Sequence, residues 1–228
     1  MPGKDIENQI PLIEIKLEEL IRMCENYKQE GAVPMEIRDK IEVILTQVRR
    51  TLDKIISEYF TSNIFPSNTH LVNIKTYFPF CRTQIELNTC FARINALNNL
   101  DPKLFSVLDT CQPYQPNYNW LWNIQTYSNL GHNSVIAAEK QSAIEGIQTS
   151  GIMIIAPNMH LTNTQIGNIF IEELVTVNGK IVKGSMDSNL RDILNIKYHY
   201  YIQGTDIDVV ILSRQGLELI KQLIQDLR

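Results

Sequence analysis

Two long runs of apolar residues at helical spacing dominate the first quarter of this chain. Between Ile10 and Cys24, and again between Ile37 and Tyr59, apolar side chains recur mostly at steps of three and four residues. This spacing places them on one face of a helix. A break at 29–33 separates the runs, and Pro34 suits the first turn of the second helix because its missing N–H would be unpaired there. The pattern predicts an antiparallel hairpin of two long helices.

Shorter helices joined by irregular segments are predicted for the middle of the chain. Residues 61–80 show neither the helical nor the strand period, so we expect an irregular connection. Thr83 and Glu86 have the spacing of a capping box, which predicts a helix over 84–97. Two more helices are expected, one after an N-cap at Asp101 and one beginning near Asn119.

The pattern changes to one typical of β-structure after Gly146. Short β-branched runs at 151–156, 169–177 and 180–183 predict strands, and 198–203 predicts another. Asn178-Gly179 between two of these runs favours a hairpin, since both positions of its turn must tolerate positive φ. Residues 208–212 fit either a strand, from their β-branching, or the start of a final helix that continues to Leu227.

This order of elements predicts an α+β fold. It consists of an N-terminal long helical hairpin and helical body, a small antiparallel β region, and a C-terminal helix. We expect residues 1–145 to form the mainly helical region, and residues 146–228 to form the β-hairpin region with the closing helix. No obviously flexible linker separates the regions, so we expect them to pack as one unit, with two independent domains as the alternative.

Composition and charge narrow the classes of function. The chain has 21 basic and 25 acidic residues, so it lacks the global positive field that draws proteins onto nucleic acids or anionic membranes. No stretch approaches the roughly 20 apolar residues of a membrane span. Acidic residues interrupt the N-terminal apolar positions, which argues against a signal peptide. We therefore expect a cytoplasmic protein without a membrane partner.

The motifs of the common cofactor and metal sites are missing from the sequence. There is no phosphate-binding loop, dinucleotide-binding turn, nucleophile elbow or paired-histidine zinc helix. The four histidines are far apart, and the four cysteines include no C-x-x-C pair, so we expect reduced thiols and neither a metal nor a cofactor.

Polar and aromatic residues are most densely clustered between 112 and 133. Asn129 and His132 are three apart, so on a helix an amide and an imidazole would share one face and could bind a polar ligand or move a proton. The structural alternative is that Gly131 ends the helix and that both side chains pair with its terminal backbone groups. The candidate ligand-binding residues are Gln112, Tyr114, Trp120 and Arg82.

Four segments in this part of the chain resemble, in order, those of a group of uncharacterised bacterial helical proteins. They are Lys75-x-Tyr-Phe78-Pro79-Phe80, Pro102-Lys-Leu-Phe, Gln112-Pro113-Tyr114, and Leu121-x-x-Ile124-x-x-Tyr127-x-Asn129-x-x-His132. The helical part of that group is similar to HEPN-type domains, which occur in RNA-directed defence proteins. This chain departs from the group at Leu130-Gly131, where Asp-Lys is usual. It also lacks the arginine of the Arg-x4-6-His motif of HEPN ribonucleases, in which four to six residues separate the arginine from the histidine.

Two main hypotheses of function follow. The first is a non-enzymatic or accessory protein, linked by the resemblance to bacterial or phage defence, that binds a protein partner or self-associates through its long helices. The alternative is a divergent HEPN-type ribonuclease that binds RNA. In that case His132 would be the acid-base residue, Asn129 would orient it, and folding would supply Arg82 or Arg93. A weaker third hypothesis is a small-ligand pocket between the helices and the sheet.

Overall fold

The structure, a computed structural model, describes residues 4–27, 33–128, 138–149, 152–166, 168–184, 194–203 and 205–228. Its contacts divide the chain into two compact units. We call the first the helical unit; it comprises Met1–Arg22, Pro34–Ala137 and Ile207–Arg228. We call the second the sheet unit; it comprises Met23–Val33 and Ala138–Asp206.

Most of the helices belong to the helical unit. Their bounds are α1 Lys4–Asn26, α2 Met35–Tyr59, α3 Gln84–Thr89, α4 Leu97–Leu100, α5 Pro102–Thr110, α6 Leu121–Ser128 and α7 Val209–Asp226. The buried face of α2 carries the predicted period and packs mainly against α6 and α7. Between α2 and α3 the chain makes short π and 3-10 turns over residues 60–71, and then runs extended through residues 75–81.

The sheet unit contains two three-stranded antiparallel sheets, with strand orders β2-β1-β6 and β3-β4-β5. The bounds are β1 Ala138–Thr149, β2 Ile152–Ile155, β3 Met159–Ile166, β4 Ile169–Val177, β5 Lys180–Lys183 and β6 Leu194–Ile202. Apolar side chains from both sheets form one core, made of Ile144, Ile147, Met159, Ile171, Leu174 and Leu194.

The predicted α+β class is confirmed, and several local predictions hold. Asp101 caps α5 by accepting from Leu104 N, and Thr83 caps α3 by accepting from Glu86 N. The Asn178-Gly179 turn joins β4 to β5, with φ of 50° and 74° at its two residues. Positive φ at both positions is what the hairpin prediction requires.

Other local predictions need correction. The helix predicted over 84–97 is interrupted, because α3 ends at Thr89 and Arg93 has φ of 65°, which lies outside the right-handed helical region. The ambiguous segment 208–212 is helical: Asp208 Oδ1 accepts from Val210 N and Ile211 N and so starts α7. Strand β1 begins at Ala138, ahead of the predicted start of the β region at 146. Strand β3 lies in a segment for which the sequence predicts no strand.

The division into units also differs from the predicted boundary at 145/146. Helix α7 belongs to the helical unit and not to the β region, because its buried apolar face packs on α2. Among the described residues, no helix combines the length and the apolar character needed to cross a bilayer.

Candidate functional site: a groove in the helical unit

The predicted acid-base pair, His132 and Asn129, lies outside the described residues. The proposed roles of these two side chains therefore stay predictions. Of the arginines considered as partners for His132, Arg82 is exposed on the helical unit, and its guanidinium lies 6.0 Å from the centre of the Trp122 ring.

Gln112 is fully buried and supports the backbone of a neighbouring segment. Its Oε1 accepts a hydrogen bond of 3.0 Å from Cys81 N, and its Nε2 has no hydrogen-bond partner. A buried side chain of this kind positions the chain around it. Gln112 therefore holds the end of the extended segment 75–81 in place.

The other two predicted ligand-binding residues also have local partners. Tyr114 donates its hydroxyl proton to Asp109 Oδ1. Burial and this carboxylate raise the pKa of the Tyr114 phenol above its ordinary value. Trp120 donates Nε1–H to Asn117 O at 2.9 Å, within its own turn. Both aromatic residues thus help to shape the chain between α5 and α6.

A groove of about 410 Å³ opens on the helical unit beside the extended segment. Helices α2, α3 and α6 each contribute to its walls. The lining residues are Arg49, Tyr77, Phe78, Pro79, Phe80, Cys81, Glu86, Thr89, Cys90 and Gln125.

Asp53 on α2 anchors the extended segment along the groove. Its Oδ1 accepts from Phe78 N at 2.9 Å, while its Oδ2 accepts from Arg49 Nε at 3.1 Å. The Arg49 guanidinium in turn lies 4.1 Å from the centre of the Phe80 ring, within the range of a cation–π contact. One carboxylate thereby fixes both the backbone and the cation of this wall.

The polar groups of the groove are few and nearly balanced in charge. Arg49 is neutralised by Asp53, and Glu86 reaches back to accept from Arg82 N at 2.6 Å. Arg49 Nη1 has no hydrogen-bond partner. Tyr77 is 41% exposed, and its ring packs against the buried Phe91. The wall therefore offers the exposed Tyr77 ring, while the Arg49 guanidinium contributes through its packing on Phe80.

Two thiols meet at the groove. The Cys90 thiol donates a hydrogen bond to the Cys81 sulfur, which lowers the pKa of Cys81 even though burial and Glu86 oppose this change. The same contact, together with burial, raises the pKa of Cys90. One of the two sulfurs is thus the preferred site of ionisation.

Part of this groove comes from segments that carry the resemblance but have no role assigned from the sequence. The segment Tyr77-Phe78-Pro79-Phe80 is one of these motifs, and it forms one wall. Gln112, from the third of the four segments, holds that wall, and Gln125 lies within the fourth. Arg49 forms a small positive patch with Arg50 and Lys54 in the sequence, and such a patch on an amphipathic helix is ordinarily a solvated face.

Among the described residues, no group of three or more histidine, cysteine or acidic side chains could hold a metal ion. Comparison with known proteins found no matching family model, no matching curated protein and no matching solved structure. The resemblance to bacterial helical proteins stays a prediction.

Proposed function

We propose that this protein is a non-enzymatic binding protein whose groove takes a short peptide segment of a protein partner. The observation that carries the proposal is the aromatic wall Tyr77–Phe80 with the Arg49 guanidinium packed against it. A groove volume of about 410 Å³ falls within the range of roughly 300–1,000 Å³ that is usual for ligand sites.

The chemistry of the lining suits an extended peptide. The exposed Tyr77 ring and the half-buried Phe80 ring lie along the groove, with Phe78 and Pro79 buried between them, and aromatic surface of this kind packs against apolar peptide side chains. Arg49 Nη1 is buried, so the Arg49 guanidinium contributes to this wall through its packing on the Phe80 ring. Thr89 and Gln125 add neutral hydrogen-bonding groups at the other walls.

Charge favours a peptide over RNA as the occupant. Proteins bind single strands by combining aromatic platforms with a positively charged groove that follows the backbone. Here the charged lining residues are Arg49 and Glu86, and Asp53 already neutralises Arg49. A polyanion would therefore gain little electrostatic attraction from this groove.

Thr89 provides a way to close the groove without disturbing the core. It is exposed at the last residue of α3, and its hydroxyl bonds only to carbonyls of its own helix, Ile85 O at 3.2 Å and Glu86 O at 3.5 Å. Thr110 is the matched control: it is exposed at the last residue of α5, bonds to Val107 O, and does not line the groove.

The test is a selection of random peptides displayed on phage against the wild-type protein. Fluorescence anisotropy then compares the selected peptides on the wild type, on Thr89→Trp and on Thr110→Trp. We expect Thr89→Trp to weaken binding by at least about tenfold, equivalent to about 1.4 kcal/mol, and Thr110→Trp to leave it unchanged.

Two results would overturn the proposal. One is that no peptide is enriched, or that the enriched peptides bind Thr89→Trp as well as they bind the wild type. The other is that a labelled single-stranded RNA, and no peptide, binds in a Thr89→Trp-sensitive manner. The second result would lead to an RNA cleavage assay with His132→Ala.

A further inference from the structure

Cys81 and Cys90 are the two cysteines that line the groove. Cys81 ends the extended segment, and Cys90 is the C-terminal cap residue of α3. They are nine positions apart in the chain, yet both line one groove, and each thiol influences the ionisation of the other. The fold thus creates a pair of thiols for which no C-x-x-C motif exists in the sequence.

The backbone N–H of each of the two cysteines is hydrogen-bonded. Cys81 N donates to Gln112 Oε1 at 3.0 Å, and Cys90 N donates to Leu87 O at 3.5 Å. Both side chains line the same groove, so a disulfide between them calls for rotation of the side chains towards each other within it.

Cys111 is an internal reference because it is buried away from the groove. Cys81 is 4% exposed and lines the groove, whereas Cys111 is 1% exposed, does not line it, and donates its thiol to Val107 O and Leu108 O at 3.4 Å. Burial raises the pKa of Cys111 to about 12. A thiol that is buried and protonated in this way is inert towards oxidants, because the thiolate is the nucleophile.

We propose that Cys81 and Cys90 form a peroxide-sensitive dithiol that closes reversibly into an intramolecular disulfide at the groove. The shared position of the two cysteines on the groove lining carries this inference, and the influence of each thiol on the ionisation of the other supports it. It does not depend on whether the groove binds a peptide.

The oxidant is hydrogen peroxide, and the disulfide forms in two steps. The Cys81 thiolate attacks one peroxide oxygen, the O–O bond breaks, and hydroxide leaves and takes up the proton released by Cys81 to form water. The Cys90 sulfur then attacks the Cys81 sulfenic acid; the S–S bond forms, the S–O bond breaks, and hydroxide leaves with the Cys90 proton as a second water. A dithiol reductant reverses the change by exchange.

The disulfide would join two walls of the groove. Cys81 belongs to the segment that carries Phe78 and Phe80, and Cys90 follows Thr89 at the end of α3. Oxidation would therefore restrain the relative movement of these walls.

The test is mass spectrometry of the folded, full-length protein after exposure to hydrogen peroxide and alkylation with iodoacetamide. Cleavage after Lys75, Arg82 and Arg93 separates the two cysteines into peptides 76–82 and 83–93, so a disulfide appears as a linked pair. We expect this pair to hold most of the Cys81 signal while Cys111 remains a free thiol, and a reductant to abolish it.

Two cysteine variants test which thiols form the disulfide. In Cys90→Ser we expect no link and a Cys81 sulfenic acid that dimedone traps, whereas Cys111→Ser should form the Cys81–Cys90 link as the wild type does. The proposal fails if peptides 76–82 and 83–93 stay alkylated and unlinked in the wild type. It also fails if Cys81 is oxidised to the same extent and to the same products with or without Cys90.

Discussion

Gln112 has the form of a binding residue in the sequence but acts as an internal support in the fold. An amide beside proline and tyrosine fits a ligand contact as well as a buried anchor, and only the fold distinguishes the two. Its Oε1 pairs with Cys81 N in the core, so the side chain acts on the groove through the backbone of the groove wall.

Replacement of Gln112 should therefore destabilise the helical unit. In Gln112→Leu the buried Cys81 N–H loses its acceptor, which is expected to lower the free energy of unfolding by about 1–3 kcal/mol. Urea unfolding followed by circular dichroism measures the loss. Gln225→Leu, at an exposed position on α7, is the control and should stay within about 0.5 kcal/mol of the wild type. Equal stability of the two variants would contradict the role of Gln112.

Tyr59 links α2 to the cap of α5 and should make stability depend on alkaline pH. Its hydroxyl donates to Asp101 Oδ2 at 3.0 Å. Burial, and to a smaller extent the Asp101 charge, raises the pKa of Tyr59 from 10.0 to about 12. The unfolded state loses this proton first as the pH rises. The contribution of Tyr59 is thus complete below pH 10 and is lost as the pH approaches 12.

Urea unfolding of the wild type and of Tyr59→Phe across this pH range measures the effect. We expect the free energy of unfolding to fall more steeply with pH in the wild type than in Tyr59→Phe. At neutral pH, Tyr59→Phe should be less stable by about 1 kcal/mol, owing to the missing hydrogen bond. In Asp101→Asn the negative charge beside Tyr59 is absent, so the pH range over which the free energy of unfolding falls steeply should become narrower. Parallel curves for the wild type and Tyr59→Phe would refute the linkage.

At the scale of elements, α2 and α7 approach closely at one glycine. A Cβ added to Gly216 would lie 2.6 Å from Val48 Cγ1 and 3.3 Å from Val48 Cγ2, and the β-branched valine has little rotamer freedom to move away. Glycine within a helix ordinarily costs up to about 1 kcal/mol relative to alanine. Here its lack of a side chain allows the two helices to pack.

Gly216→Ala should therefore destabilise the protein despite its better helix propensity. Overpacking is expected to cost about 1–3 kcal/mol, which outweighs the gain in propensity. Combination with Val48→Ala, which removes the opposing methyl groups, should give a double variant that is more stable than the sum of the single effects. A double-mutant cycle from urea unfolding tests this, and additivity within about 0.5 kcal/mol would contradict the close approach.

At the scale of the whole molecule, the last segment in the sequence completes a unit that begins near the N-terminus. Helix α7 buries Val209, Leu212, Leu217, Leu219, Ile220, Leu223 and Ile224 within the helical unit. A chain truncated after Asp206 would lose this apolar face and leave the buried side of α2 in water. Each large buried side chain is worth about 1.5–3 kcal/mol, so the helical unit should not fold without α7.

Hydrogen exchange read by mass spectrometry tests this division of the chain. In the truncated protein we expect peptides from α2 to lose protection and peptides from β4 to keep it. A single variant, Ile220→Asp, should weaken protection in α2 in the same direction, because it places a charge at a fully buried position. Lost protection in β4 with preserved protection in α2 would instead support the boundary at 145/146.

The amino-acid sequence by itself determined the features that depend on near neighbours in the chain. The apolar period of α2 and α7, the caps at Thr83 and Asp101, and the Asn178-Gly179 turn each involve groups a few residues apart. Such patterns are therefore readable without a fold. Strand β3 was missed because its mostly polar residues give little local signal and its pairing is set by β4.

Only the tertiary structure decided which distant segments meet. The assignment of α7 to the helical unit, the pairing of Asp53 with the 75–81 segment, and the contact between Cys81 and Cys90 all join residues whose proximity depends on packing. The groove is the product of these contacts. Its walls come from α2, the extended segment, α3 and α6. No local pattern in the sequence predicts that these segments meet. The hydrophobic effect requires that apolar faces be covered, but it does not specify which segment covers them.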